Sequence, residues 1–421
     1  MLLTIGKISK LNRAVSDDRP PLGRIEQIGL LALLISLVAM SIDAILPALP
    51  AIGGTLVPDH PNAPQLLIGA LLVGLTIGQL IYGPVSDSYG RRMPILIGLA
   101  VFMVGALIAA VSTSFEAVLL GRFIQGVGAA GPRVVAVALV RDRYEGAAMA
   151  QIMSFVMAVF IIVPALAPAI GEAVLHATGS WRAIFVMFLI QAATASVWFW
   201  IRQPETHRAD RRRPLSFRST ASAMGQALQH PVSRGYAMAA GIVFGSFVGF
   251  LASIQQIFTD TFGAASSFTT AFAVLALAIG AASVANSQLV MRFGMQVLCR
   301  IALTGLASFA FIGWVISLNT GTGFPMLIFM ALMMPCCFCF GILFGNFNAL
   351  AMQPMATIAG SAAAVIAALT SLIAVTFGTL VGQGFDGTTA PLFAGFLIAA
   401  MGAFSMIRYT ETARAHAPAR V

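Results

Sequence analysis

Three ionisable side chains stand deep inside long apolar runs of this sequence, Asp43, Arg122 and Arg133, while Glu172 lies near the end of another, within reach of water. A charge at the centre of a bilayer costs at least about 2.5 kcal/mol, so such residues mark places where an apolar segment does more than fill lipid. A carboxyl group set against guanidinium groups is suited to moving protons. Burial favours the neutral acid and a neighbouring arginine favours the carboxylate. A group balanced between the two gains or loses a proton when its surroundings change.

The spacing brings the charges to one level. The run holding Asp43 ends near residue 52, which puts the carboxyl nine residues, about 13 Å, below that surface. The run holding Arg122 starts near residue 115 and returns from the same surface, so Arg122 lies seven residues in, about 10 Å deep. An Asp43–Arg122 pair, direct or through water, is within reach. It reads either as a proton-exchanging site or as a fixed structural salt bridge. Gln125, one turn from Arg122, is placed to orient it. Arg133 follows Arg122 by eleven residues, about 20° off the same helix face and about 16 Å farther along. It either lines the same cavity or snorkels to the headgroups.

A second constellation is the stretch "GPVSDSYGRR", Gly83 to Arg92, between two apolar runs. Asp87 lies one helical turn before Arg91, a spacing at which the two can pair. Gly83 and Gly90 permit close helix approach and a positive backbone angle. The plainest role for such a loop is topogenic.

The elements that position these residues are membrane spans. Hydrophobic residues make up 59% of the chain and charged ones 9%, against about 25% charged in soluble proteins. Runs of about 20 apolar residues, long enough to cross the hydrocarbon core as helix, lie at 27–52, 66–84, 93–112, 115–140, 149–174, 180–201, 236–259, 265–290, 297–318, 324–350, 357–382 and 390–408. No signal cleavage is expected after the basic first 26 residues. The net charge of +9 is laid out as topology rather than as a nucleic-acid surface. Lys7, Lys10, Arg13, Arg19, Arg24, Arg91, Arg92, Arg141, Arg143, Arg292, Arg300 and Arg408 fall on one side, and Arg182 on the other. That asymmetry predicts both termini in the cytoplasm.

The basic stretch 203–235, with Arg211, Arg212 and Arg213, divides the spans into 1–202 and 236–421. The turn between the second and third spans is echoed between the eighth and ninth, where Gly294 answers Gly90 at an offset of 204 residues. Met291 and Met295 stand there in place of Asp87 and Arg91. Cys299, Cys336, Cys337 and Cys339 read as small buried hydrophobes. Gln255, Gln256, Asn286, Asn346 and Asn348 either line a cavity or join helices. Gly74 with Gly78, and Gly241, Gly245 and Gly249, suit close helix crossings. Pro164 and Pro168 can bend their helix.

"GPVSDSYGRR" resembles the signature loop of the major facilitator superfamily. "RFIQGVGAAG", from Arg122 to Gly131, and "SIDAILPALPAI", from Ser41 to Ile52, are similar to motifs of its twelve-span drug:proton antiporters of the Bcr/CflA type. "RDRYE", "VPALAPAIG", "WRAIF" and "DGTTAPL" fit the same branch. The fifth-span motif departs from the common form, with Pro164, Pro168 and Gly171 in place of a Gly-Pro and a glycine pair.

The resemblance implies an all-α integral membrane protein of twelve transmembrane helices in two six-helix pseudo-symmetric bundles. It implies a monomeric exporter of small amphipathic drugs, in exchange for protons, in the bacterial inner membrane, with no cofactor. Asp43 and Arg122 would couple protons. Asp43, Arg122, Gln125, Arg133, Gln255 and Gln256 would line the substrate cavity. Gly83, Asp87, Gly90, Arg91 and Arg92 would form a cytoplasmic latch that holds the halves together when the protein faces out. Asp87 would meet the N-terminus of the eleventh span. A carrier of one metabolite or organic anion on the same fold is the rival reading. An enzyme is a poor one, because His60, His176, His207, His230 and His416 lie outside or at the ends of spans and form no catalytic or metal cluster.

Overall fold

The structure is a computed structural model and describes residues 22–144, 146–207, 212, 222, 225 and 228–415. Lys7, Lys10, Arg13 and Arg19, Arg211 and Arg213 of the linker, and His416 lie outside the described residues.

Apolar runs form helices because a helix pairs its own backbone polar groups, which hydrocarbon cannot do. The first half comprises α1 (Arg24–Asp43), α2 (Leu66–Tyr89), α3 (Arg92–Val111), α4 (Phe115–Arg143), α5 (Gly146–Thr178) and α6 (Arg182–Arg202). The second comprises α7 (Pro231–Gln256), α8 (Phe268–Phe293), α9 (Met295–Thr320), α10 (Met326–Met352), α11 (Ala359–Gln383) and α12 (Ala390–Ala415). Among the described residues eleven spans are long and apolar enough to cross a membrane. The remaining helix, α5, is 33 residues long. Each of the twelve predicted runs thus overlaps one of these helices.

The contacts repeat from half to half. In the first, α1 packs on α4, α5 and α6, α4 packs on α2 and α3, and α3 packs on α6. In the second, α7 packs on α10, α11 and α12, α10 packs on α8 and α9, and α9 packs on α12. The same shift of six helices interchanges the two main helix-to-helix contacts between the halves, α2 with α11 and α5 with α8. Two six-helix bundles are therefore related by pseudo-symmetry, a plan that leaves a midplane site between them. The echoed turn shares its backbone too. Gly90 has φ 93° and ψ 173°, and Gly294 has φ 78° and ψ 157°, a region open essentially only to glycine.

Small residues set the helix spacing. A Cβ on Gly126 of α4 would fall 2.0 Å from the Leu71 carbonyl oxygen of α2, and one on Gly341 of α10 would fall 2.5 Å from the Ile279 carbonyl oxygen of α8. Gly241, Gly245 and Gly249 press likewise on Ile373, Phe377 and Val381 of α11. Gly83 corrects the expectation of a close approach. It sits on a half-buried side of α2 with nothing within 4 Å of its Cβ position.

The first span is broken. Helix α1 ends at Asp43, Leu46–Ala48 form a 3-10 turn, and helix resumes as Leu49–Leu56. The prolines of "DAILPALP" cause this: Pro47 and Pro50 carry no N–H, so the carbonyls of Asp43 and Leu46 lose their usual donors four residues on. Gly171 of α5 lies against the break, where a Cβ would sit 1.9 Å from the Ala44 carbonyl oxygen. Pro164 and Pro168 do not interrupt α5, which runs from Gly146 to Thr178.

Candidate functional site

At the centre of the first half Arg122 is fully buried and ties three helices together. Its Nη2 donates to the Ser41 carbonyl of α1 at 2.7 Å, its Nε to the Leu67 carbonyl of α2 at 3.2 Å, and its Nη1 to Gln125 Oε1 at 2.7 Å. Ser41 lies in the last turn of α1, where the helix dipole favours a cation. Gln125 orients Arg122 as its spacing suggested, and the Nε2 of Gln125 is buried without a hydrogen-bond partner.

Asp43 is 5% exposed. Among the described residues its carboxyl makes no hydrogen bond or ion pair. The direct Asp43–Arg122 ion pair is therefore corrected: depth alone suggested it, but neutral oxygens two residues before Asp43, on α2 and on Gln125 already take up the guanidinium. Sequence carries no letter for a backbone acceptor. Arg133 lies farther along α4, half-buried.

The turn between α2 and α3 builds a charged cluster within the first half. Arg91 is 6% exposed. It donates through Nη1 to Asp87 Oδ1 at 2.6 Å and to Ser86 Oγ at 2.9 Å, and through Nε to Asp142 Oδ2 at 2.7 Å. Burial disfavours the charged guanidinium, but the hydrogen bonds to Asp142 and Asp87 outweigh it and raise Arg91 above its usual range. The segment after α6 closes the cluster: Glu205 accepts from the backbone N–H of Arg91 at 2.9 Å and of Arg92 at 3.1 Å. A carboxylate at the N-terminus of α3 is where the helix dipole favours one. Arg92 donates to the Trp200 carbonyl. Asp142 and Glu205 were not singled out from sequence, although both sit in polar stretches, "RDRYE" and "RQPETHRAD", that begin where spans end.

The opposite end joins the halves with amides. Asn62 Nδ2 donates to the carbonyls of Phe385 at 2.9 Å and Gln383 at 3.2 Å, and Gln383 Nε2 returns a bond to the Asn62 carbonyl at 2.7 Å. Gln256 Nε2 donates to the Pro61 carbonyl at 2.9 Å, and Gln256 Oε1 accepts from Gln65. Gln256, expected in the cavity, thus belongs in this conformation to the closure. Gln255 is buried beside it with an unpartnered Oε1. Across the other contact between halves, Thr269 of α8 donates to Glu172 of α5. Asn286 and Asn346 bond to each other at 2.8 Å, joining α8 to α10.

The model of the Major Facilitator Superfamily matches residues 31–379. An uncharacterized MFS-type transporter, YdgK, of Bacillus subtilis is 30% identical over 91% of this chain and 94% of its own. A bicyclomycin resistance protein homolog of Haemophilus influenzae is 29% identical over 90% of this chain and 94% of its own. Multidrug resistance protein D of Escherichia coli is 34% identical over 44% of this chain and 48% of its own. The xylose transporter XylE of E. coli, in a partially occluded inward-open conformation, superposes with a TM-score of 0.71 at 14% identity, over 91% of this chain and 97% of that one. That likeness speaks for the fold alone. With twelve spans, mirrored halves and a family match over most of its length, the chain belongs to the Major Facilitator Superfamily and is a membrane transporter, not an enzyme.

Proposed function

We propose that the chain is a proton-coupled exporter of small amphipathic drugs, phenicol-like or bicyclomycin-like, working by alternating access across the bacterial inner membrane. Asp43 carries this reading: it is a buried carboxyl at a broken helix, with no partner among the described residues. An unpaired carboxyl there is available to a proton or to a substrate in turn. A proton from outside neutralises Asp43 and the drug leaves outward; when the site faces in, loss of that proton restores the carboxylate. Arg122 and Gln125 hold α1 and α4 in register around it. The relatives named for bicyclomycin and multidrug resistance support the substrate class.

The arginine asymmetry supports a cytoplasmic Arg91 turn and cytoplasmic termini. On that assignment the amide closure is on the outer side. Segments 1–202 and 236–421 rock about the 203–235 linker, and the Asp87–Arg91 cluster latches when the protein faces out. One observation favours a second reading, a carrier of a metabolite or organic anion: among the described residues no carboxylate pairs with Arg122.

Proton release on adding chloramphenicol, bicyclomycin or a lipophilic cation to detergent-purified protein tests the proposal. Wild type should release protons and Asp43→Asn should not. Release that survives the substitution moves coupling elsewhere, to Glu172 first. Binding without release favours the second reading.

A further inference from the structure

The second half carries a layer of rings on α7, the helix that answers to α1 under the shift of six helices. The 204-residue offset that relates Gly90 to Gly294 carries Asp43 onto Phe247 of α7. Phe247 stacks on Phe244 at 6.3 Å between centroids, and both meet Phe344 of α10 edge-on, at 5.4 Å and 5.5 Å. Phe340 and Phe250 back this layer and are buried. Phe244, Phe247 and Phe344 are only half-buried.

These rings stand apart from the exposed apolar side chains of the second half. Large exposed apolar side chains of the second half lie on α8, α9, the first third of α10, α11 and α12; among the described residues none lies on α7. Helix α7 is covered by α10, α11 and α12, and it also touches the Leu46–Ala48 turn that follows Asp43. Its glycine stripe faces α11, while its rings Phe244 and Phe247 meet Phe344 of α10. Aliphatic side chains would fill a core as well. Rings add a quadrupole whose faces favour planar groups and cations.

Resting on the exporter reading, we propose that Phe244, Phe247 and Phe344 form an aromatic subsite of the transport pathway, which seats a ring of the substrate while the substrate's polar or cationic end lies at Asp43. The substrate class is thereby narrowed from amphipathic compounds to aromatic ones.

The test uses the full-length chain in detergent, with radiolabelled tetraphenylphosphonium as probe and the aliphatic cation tetrabutylammonium as competitor. Wild type should prefer the phenyl cation. With Phe244→Leu and Phe247→Leu together, affinity for tetraphenylphosphonium should fall about three- to tenfold while that for tetrabutylammonium holds. Phe247→Trp should keep the preference. Phe393→Leu, whose ring meets Phe324 and Phe329 and none of the three subsite rings, should leave both affinities unchanged. Wild type that binds both cations with a preference insensitive to the double substitution, or to Phe247→Leu alone where the double variant does not fold, overturns the subsite and leaves the exporter standing. Equal losses for both cations also overturn it. Wild type that binds neither cation overturns the subsite, while the exporter reading stands or falls by proton release with chloramphenicol or bicyclomycin.

Discussion

The two halves share one set of helix contacts and fill it with different chemistry. Where the first half places Asp43, Asp87 and Arg91, the offset of 204 residues places Phe247, Met291 and Met295 in the second. The second half nevertheless packs α7 to α12 in the pattern of α1 to α6, and it makes the same glycine turn. It serves as an internal control. Charges at these positions are not needed to build a six-helix bundle, so their presence in the first half calls for a functional account. Packing glycines recur in both halves, which marks them as architectural.

If packing is the shared part, the glycines of equivalent crossings should be equally intolerant. Gly126→Val and Gly341→Val each drive a side chain into a backbone carbonyl, 2.0 Å and 2.5 Å from the Cβ position. Each should cost about 3 kcal/mol, the upper end for overpacking, read as a loss of unfolding free energy in detergent. Tolerance at one site alone would break the equivalence.

A smaller effect separates the two polar residues of the first half. Arg122→Met strips donors from the Ser41 and Leu67 carbonyls and from Gln125, and should cost roughly 2 kcal/mol. Asp43→Asn removes no bond among the described residues and should cost clearly less than Arg122→Met, although it is expected to end proton release. If Asp43→Asn destabilises as much as Arg122→Met, the carboxyl is structural and the contrast fails.

Much of this plan was legible in the sequence. Apolar run length located every span, and "DSYGRRMPIL" against "MRFGMQVL" located the repeat, because both signals are local in the chain. The break in the first span was spelled out by Pro47 and Pro50 within a stretch quoted for another reason. What stayed hidden depends on contacts that no local pattern encodes. Arg122 is satisfied by backbone oxygens, which every residue has. The amide closure joins Asn62 to Gln383, more than 300 residues away. Matching depth brought Arg122 to the end of α1, where it meets the Ser41 carbonyl and not the Asp43 carboxyl directly, since depth fixes one coordinate of three.

The finest distinction between the halves lies in the two glycine turns. Gly90→Ala and Gly294→Ala both force alanine into a backbone region reserved for glycine, at roughly 1–3 kcal/mol each. At Gly294 nothing lies within 4 Å of the new methyl group; at Gly90 it would meet Glu205 Oε2 at 2.5 Å. That carboxylate must then move, weakening the bonds it accepts from the Arg91 and Arg92 N–H groups. Gly90→Ala should therefore exceed Gly294→Ala by about 1 kcal/mol. Combining each with Glu205→Ala isolates the cause. A double-mutant cycle should show about 1 kcal/mol of coupling at Gly90 and none at Gly294. Equal costs without coupling would mean that Glu205 adapts freely, and that the first-half turn differs from its counterpart in side-chain charge but not in how tightly its backbone is held.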